Sequence, residues 1–265
     1  MSLFLFNESK KYTDQKLGQI KRIEVLEEDP TNPQEGVLYF VAKGGGIPVK
    51  DYFFRFDAHS LDLADNASVP LWQDLSGNGN DLSQANAAEQ PIFLATGLNG
   101  KPTVQFNNSS LSKSSFTLPN DDGATFFIVL QNEGSSSSVV LSIGNEGSSS
   151  SAISFRLSGS LQRFGTYLNT ADAVANAAQS TDLSGTLYSS SYNSAVITMY
   201  QDGAFVTDTA YTDPIGAHNL LRLGKDPNGN RPFTGKISEI ILYSRALTEP
   251  EISDMNNYLM DKWGI

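Results

Sequence analysis

The chain has no cysteine, and only two of its 265 residues, His59 and His218, are histidines. Disulfides and thiolate metal sites are therefore excluded, and a metal ion could be held only by hard oxygen ligands. Basic residues are scarce as well. Eighteen Lys and Arg against 29 Asp and Glu give a formal net charge of -11, the wrong sign for a non-specific grip on nucleic acid or anionic lipid. No apolar run approaches the roughly 18 residues that a membrane-spanning helix needs. The opening MSLFLFNESKK has four consecutive apolar residues, Leu3–Phe6, with no basic region before them and no small-residue cleavage pattern after, so it reads as no secretory leader. Charged residues make up only 18% and hydrophobic ones 39%, which excludes intrinsic disorder for the chain as a whole.

What is abundant is serine and glycine in short runs between apolar segments. NEGSSSS occurs twice, at 132–138 and 145–151, around VVLSIG. Composition alone would make these flexible linkers. Their flanks, TFFIVLQ before, AISFRL after, then LQRFGTYL, are rich in β-branched and aromatic residues and read as successive strands. The two copies are expected to be turns at opposite ends of a meander, on the rim of one folded domain. AVITMYQDGAFVTDTAY places Asp202-Gly203 between two alternating runs, the pattern of a two-residue hairpin. It sets Val196, Thr198 and Tyr200 on one face and Ile197 and Met199 on the other. HNLLRLGKD and GKISEIILYSR supply further strands.

The end of the chain changes period. Thr248 stands three residues before Glu251, Pro250 falls in the first turn, Ile252, Met255 and Leu259 recur at helical spacing, and Gly264 follows. These predict a capped helix of about three turns. Residues 1–52 differ again, with more charge, Pro30, Pro33 and Gly36 ahead of VLYFVA, and a glycine triplet after it. One or two β-hairpins behind a leading arm are expected there, too small to bury a core alone.

From Phe53 onward the residues FDA (56–58), WQDLSGNGND (72–81) and GLNGKPTVQF (97–106), with the closing GKISEIILYSRALTEPEI and YLMDKWG, resemble a laminin G-like, concanavalin A-like lectin/glucanase jelly roll of the kind common in microbial and viral surface proteins. The resemblance implies an all-β antiparallel sandwich over 53–265 with a C-terminal helix; the differing composition of residues 1–52 suggests a separate arm that orders against another subunit or protein. PTNPQEGVLYF is similar to short hairpin adaptors of bacteriophage tail and fibre proteins.

Candidate sites are few. DLSGNGND gathers Asp74, Asn78, Asn80 and Asp81, residues that bond their own backbone in turns, and reads as an architectural loop. Calcium at the rim has candidates in Asp121 and Asp122 and in Asp226 and Asn228. The glycine of KDPNGNRPF is, however, fourth rather than sixth, and Ile237 stands where a bidentate carboxylate would be needed. No other cofactor is expected. Tyr167, Tyr192 and Tyr211, near strand ends, are candidate exposed platforms for a sugar, whereas Trp72 and Trp263 lie in the architectural segments and read as core.

Glycan hydrolases of this fold resemble one another in carrying Glu-x-Asp-x-Glu on one strand. The single Glu-x-Asp here, Glu27 to Asp29, is followed by Pro30. Glu239 stands alone on its strand, and no catalytic residue is assigned. The expectation is a non-enzymatic virion surface protein of a bacteriophage. Residues 1–52 would hold it to capsid or tail proteins, and the jelly roll would be displayed as a homo-oligomer to bind host-surface glycan, with no nucleic acid or membrane partner. The alternatives are a purely structural decoration protein without a ligand, and a glycan hydrolase.

Overall fold

The structure is a computed structural model that describes residues 22–26, 37–41, 46–119, 122–134, 137–147, 151–158, 163–168, 173–178, 185–212, 215 and 218–265. The chain divides into two units, Met1–Pro48 and Val49–Ile265. The smaller contains β1 (Arg22–Leu26) and β2 (Val37–Val41), which pair in parallel with Arg22 opposite Val37. That corrects the expected hairpin, because a tight turn joins antiparallel strands only. The leading arm lies outside the described residues.

The larger unit starts four residues before Phe53. Val49 is buried and its carbonyl accepts from Tyr243 Oη at 2.7 Å, while Asp51 pairs with Arg245. These contacts tie the segment to the closing strand.

That unit is the expected all-β antiparallel sandwich. In chain order its strands are β3 (Phe54–Asp57), β4 (Leu71–Trp72), β5 (Leu82–Ser83), β6 (Ile92–Leu98), β7 (Lys101–Asn107), β8 (Leu111–Ser114), β9 (Ala124–Asn132) and β10 (Ser138–Gly144). They continue with β11 (Ser151–Ser158), β12 (Arg163–Leu168), β13 (Ala173–Ala178), β14 (Thr186–Tyr192), β15 (Val196–Gln201), β16 (Ala204–Ala210), β17 (Leu220–Leu223) and β18 (Thr234–Tyr243). One sheet has the order β13-β12-β11-β10-β17-β8-β5-β4; the other has β16-β15-β14-β9-β18-β7-β6, with β3 also on β18. Between them lie Phe54, Phe56, Trp72, Phe106, Phe126 and Phe155, all buried.

The two serine-rich copies differ in what they do. The second turns the chain from β10 back into β11, as expected. The first carries it from one sheet to the other, because β9 is already paired along one edge with β14 and along the other with β18. No edge is left for β10 to join. At Asp202-Gly203 both φ angles are positive, 49° and 75°, as a type I′ hairpin requires.

The closing helix, α1 (Glu249–Trp263), has the expected capping box between Thr248 and Glu251, and ends at Gly264 with φ 71°. Its 15 residues make about four turns rather than three. Ile252, Met255, Leu259 and Trp263 are buried against the sheet that contains β18. This sheet is therefore covered on both faces where the helix packs, by the core and by the helix, and β18 is buried continuously from Ile237 to Tyr243 even though Ser238 and Glu239 are polar.

Candidate functional site

Strand β18 pairs with β3 so that Glu239 stands opposite Asp57. Phe54 and Phe56 alternate into the sandwich, which leaves Arg55 and Asp57 on the helix side with Glu239. Arg55 Nε donates to Glu239 Oε1 at 2.8 Å and its Nη2 to Asp57 Oδ2 at 3.0 Å. From the helix, Lys262 Nζ bonds Glu239 Oε2 at 2.6 Å and also Asp57 Oδ2, while Trp263 Nε1 donates to Glu239 Oε2 at 2.7 Å. Both acids are buried, at 1% and 5% exposure.

Burial opposes the charge on Asp57, but the hydrogen bonds from His59 and the charge and hydrogen bond of Lys262 outweigh it and hold the carboxyl well below its usual range. Burial likewise works against the Arg55 guanidinium, and Glu239, Tyr258 and Asp57 outweigh it and raise its pKa. Glu239 is thus alone on its strand but not in space. The pair is a latch for the helix. Its oxygens are spent on cations and on the indole, whereas general acid catalysis on a glycoside needs a carboxyl held protonated beside an open cleft.

The WQDLSGNGND loop is built as the sequence suggests. Asp74 accepts from the backbone of Arg55, Ser76 and Asn80, Asp81 accepts from Asp74 N, and Asn78 and Asn80 both donate to Phe53 O. Its side chains are used up fastening β3.

Of the calcium candidates, Asp121 lies outside the described residues and Asp122 is exposed. Asp226 is buried and gives Oδ1 to the backbone N–H groups of Asn228 and Asn230, at 3.1 and 2.7 Å. Asn228 is exposed. The carbonyls of Asp226 and Pro227, which could have faced an ion, accept instead from Arg222 Nη1 at 3.0 and 2.9 Å. Among the described residues no group of three or more His, Asp or Glu could hold a metal.

Tyr192 and Tyr211 were expected as exposed platforms, and the structure corrects this. They are 3% and 7% exposed and pack ring to ring at 5.7 Å, because the segment after β16 folds back against the end of β14. The Tyr167 side chain lies outside the described residues, but the strand register sets this residue opposite Ser154. Trp72 and Trp263 are core residues, each fully buried.

That register extends across the first sheet. Ser154 pairs with Ser142, Ser142 with Arg222, Arg222 with Ser112 and Ser112 with Ser83. The adjacent row, Phe155, Leu141, Leu223 and Leu111, is fully buried in the core, so by alternation the polar row faces away from it. Ser142 Oγ donates to Lys225 O, and Ser154 Oγ accepts from Arg156 Nε. Ser142 and Ser154 are fully buried, Ser112 is half-buried, and Ser83 is exposed. Its members come from five different strands, so only the pairing of strands reveals this row.

A two-sheet antiparallel sandwich with a polar outer row and a capping helix is a lectin-like architecture. The sequence pattern of the concanavalin A-like lectin/glucanases superfamily (Laminin_G_3) matches residues 98–253, and the chain belongs to this family. No curated protein matches it. Among solved structures it is similar to Trypanosoma rangeli sialidase in complex with a difluoro-KDN ligand, at 13% identity and a TM-score of 0.57, over 82% of this chain and 33% of the sialidase. It is also similar to domain 4 of AbnA, a GH43 extracellular arabinanase from Geobacillus stearothermophilus, in complex with arabinotriose. There the identity is 14% and the TM-score 0.57, over 78% of this chain and 98% of that domain. The chain thus spans about a third of the sialidase and nearly all of the arabinanase domain.

Proposed function

We propose that the sandwich is a non-catalytic glycan-binding module, displayed on a virion surface by the N-terminal unit. The observation that carries the non-catalytic half is the fate of Asp57 and Glu239: the fold sets these two acids side by side, then buries them under α1 and pairs them with Arg55 and Lys262. The glycan-binding half is supported by membership of a lectin/glucanase family and by the arabinotriose complex of the similar arabinanase domain. Display on a phage particle is supported by the division of the chain into a small first unit and a large sandwich, and by the adaptor-like PTNPQEGVLYF. Many weak sites on one particle would compensate for modest single-site affinity.

The test exposes the full-length protein to a glycan array and follows the same glycans for released reducing ends. Retention of one glycan class without cleavage is expected. Cleavage, or retention of no glycan even by an oligomeric form, would overturn the reading.

A further inference from the structure

Tyr200 and Phe205 form an aromatic pair on the outside of the second sheet. Ile197 and Met199 of β15 are fully buried in the core, so by alternation Thr198 and Tyr200 lie on the opposite face. The register sets Phe205 of β16 across from Tyr200, and Asp208 across from Thr198. The two rings stand nearly perpendicular, at 80°, with centroids 6.2 Å apart. Among the described residues Phe205 is the most exposed large hydrophobic, at 60%.

The pair is open because α1 covers this face only as far as the hairpin. Asn256 Oδ1 accepts from Ser189 Oγ on β14 at 2.9 Å, and Met260 Sδ lies 3.3 Å from where a Cβ on Gly203 would stand. Beyond that line Thr198 and Tyr200 are half-buried, and Phe205 and Asp208 exposed. The helix is thus the wall of a step whose floor holds the two rings. Burial, and the charge of the exposed Glu249 in the first turn of the helix, raise the pKa of the Tyr200 hydroxyl. That hydroxyl makes no hydrogen bond among the described residues.

Such a step suits a small ligand rich in hydroxyls. One face of a sugar ring carries C–H groups and lies against the negative π-face of an aromatic ring. Hydroxyls around its edge then meet polar groups beside the rings: the Tyr200 hydroxyl, Glu249, and Asp208 about 7 Å further along the hairpin. A second copy of the chain fits poorly. Two aromatic side chains offer ~150–250 Å² each, far below the roughly 800 Å² per partner of a stable interface. A symmetric pairing would also bring Asp208 and Glu249 of both copies into one contact. The same two acids work against an anionic sugar.

We propose that Tyr200 and Phe205 are a saccharide platform, and that the saccharide stacked there is uncharged, with its ring face on Phe205 and its hydroxyls toward Tyr200, Asp208 and Glu249. This rests on the glycan-binding reading above and puts the ligand on the helix side of the sandwich.

The experiment incubates the full-length protein with an array of uncharged pentose and hexose oligosaccharides, arabinotriose among them, and of oligogalacturonates, then titrates the best-retained one by calorimetry. Phe205→Ala and Phe205→Trp are measured beside the unaltered protein, with melting temperatures and light scattering for each. The expected result is retention of an uncharged oligosaccharide, about tenfold weaker in Phe205→Ala and restored in Phe205→Trp, at unchanged melting temperature. Unchanged affinity in Phe205→Ala, or a loss that Phe205→Trp does not reverse, would overturn the platform and leave glycan binding standing. Tighter retention of an oligogalacturonate than of any uncharged sugar would overturn the assignment of ligand class. A molar mass that falls on Phe205→Ala alone would make the patch a contact between copies and overturn the proposal. Retention of no glycan would overturn both the platform and the glycan-binding reading.

Discussion

Glu239 neutralises two cations at once. Replacing it with Gln keeps the shape but leaves Arg55 and Lys262 with Asp57 alone beneath the helix. Breaking a buried pair in this way strands charge in a poor solvent, and a loss of about 3–5 kcal/mol is expected in urea unfolding. Asp57 adds a pH dependence whose sign follows from its depressed pKa. A carboxylate held below its unfolded value, near 4, contributes stability that is complete above that value and disappears as pH falls toward the folded one. The melting temperature should therefore drop as pH is lowered below about 4, with a shallower drop in Asp57→Asn. Some slope should survive in that variant, since hydrogen bonds from Arg245 and from Thr248 draw the half-buried Glu251 down to about 2. None of this cluster was legible from residue types. Arg55 and Glu239 are 184 positions apart, and only the pairing of β3 with β18 brings them together.

At the scale of elements, local signals served well wherever the chain decides its own geometry. The Asp202-Gly203 turn, the capping box and the burial of Ile252, Met255 and Leu259 all follow from short-range patterns. They failed where a third segment intervenes. Tyr192 and Tyr211 lie at strand ends, as the sequence suggests, yet they cover one another. Nothing in VLYFVA betrays that its partner runs parallel. The first serine-rich copy crosses between sheets because both neighbours of β9 arrive from later in the chain. Two substitutions separate local from tertiary contributions. Thr248→Ala removes the side chain that accepts from Glu251 N and should cost about 1 kcal/mol by denaturant titration. Gly224→Ala should cost more, because its φ is +86° and a Cβ there would come within 2.5 Å of Ser109 O and 2.6 Å of the Phe106 ring, where only backbone movement gives relief. If the two variants melt alike, the close approach of Gly224 to Ser109 and Phe106 does not limit the residue there.

For the whole molecule, the resemblance was legible because loops such as WQDLSGNGND spend Asp74, Ser76, Asn78, Asn80 and Asp81 on their own backbone and on that of Phe53 and Arg55, so they read as recognisable strings, whereas the family pattern itself matches from residue 98 onward. The polar row around Arg222 leaves no such trace, since each of its residues comes from a different strand. If the N-terminal unit anchors the protein as proposed, light scattering should show self-association for the full chain and a monomer for residues 49–265, and equal masses would remove self-assembly from its role. The most direct measurement of the central claim is to incubate the full-length protein with an immobilised glycan array and assay the same glycans for new reducing ends. Sustained retention with every glycan intact is the expected result; release of reducing ends, or no retention at all, would contradict a non-catalytic glycan-binding module.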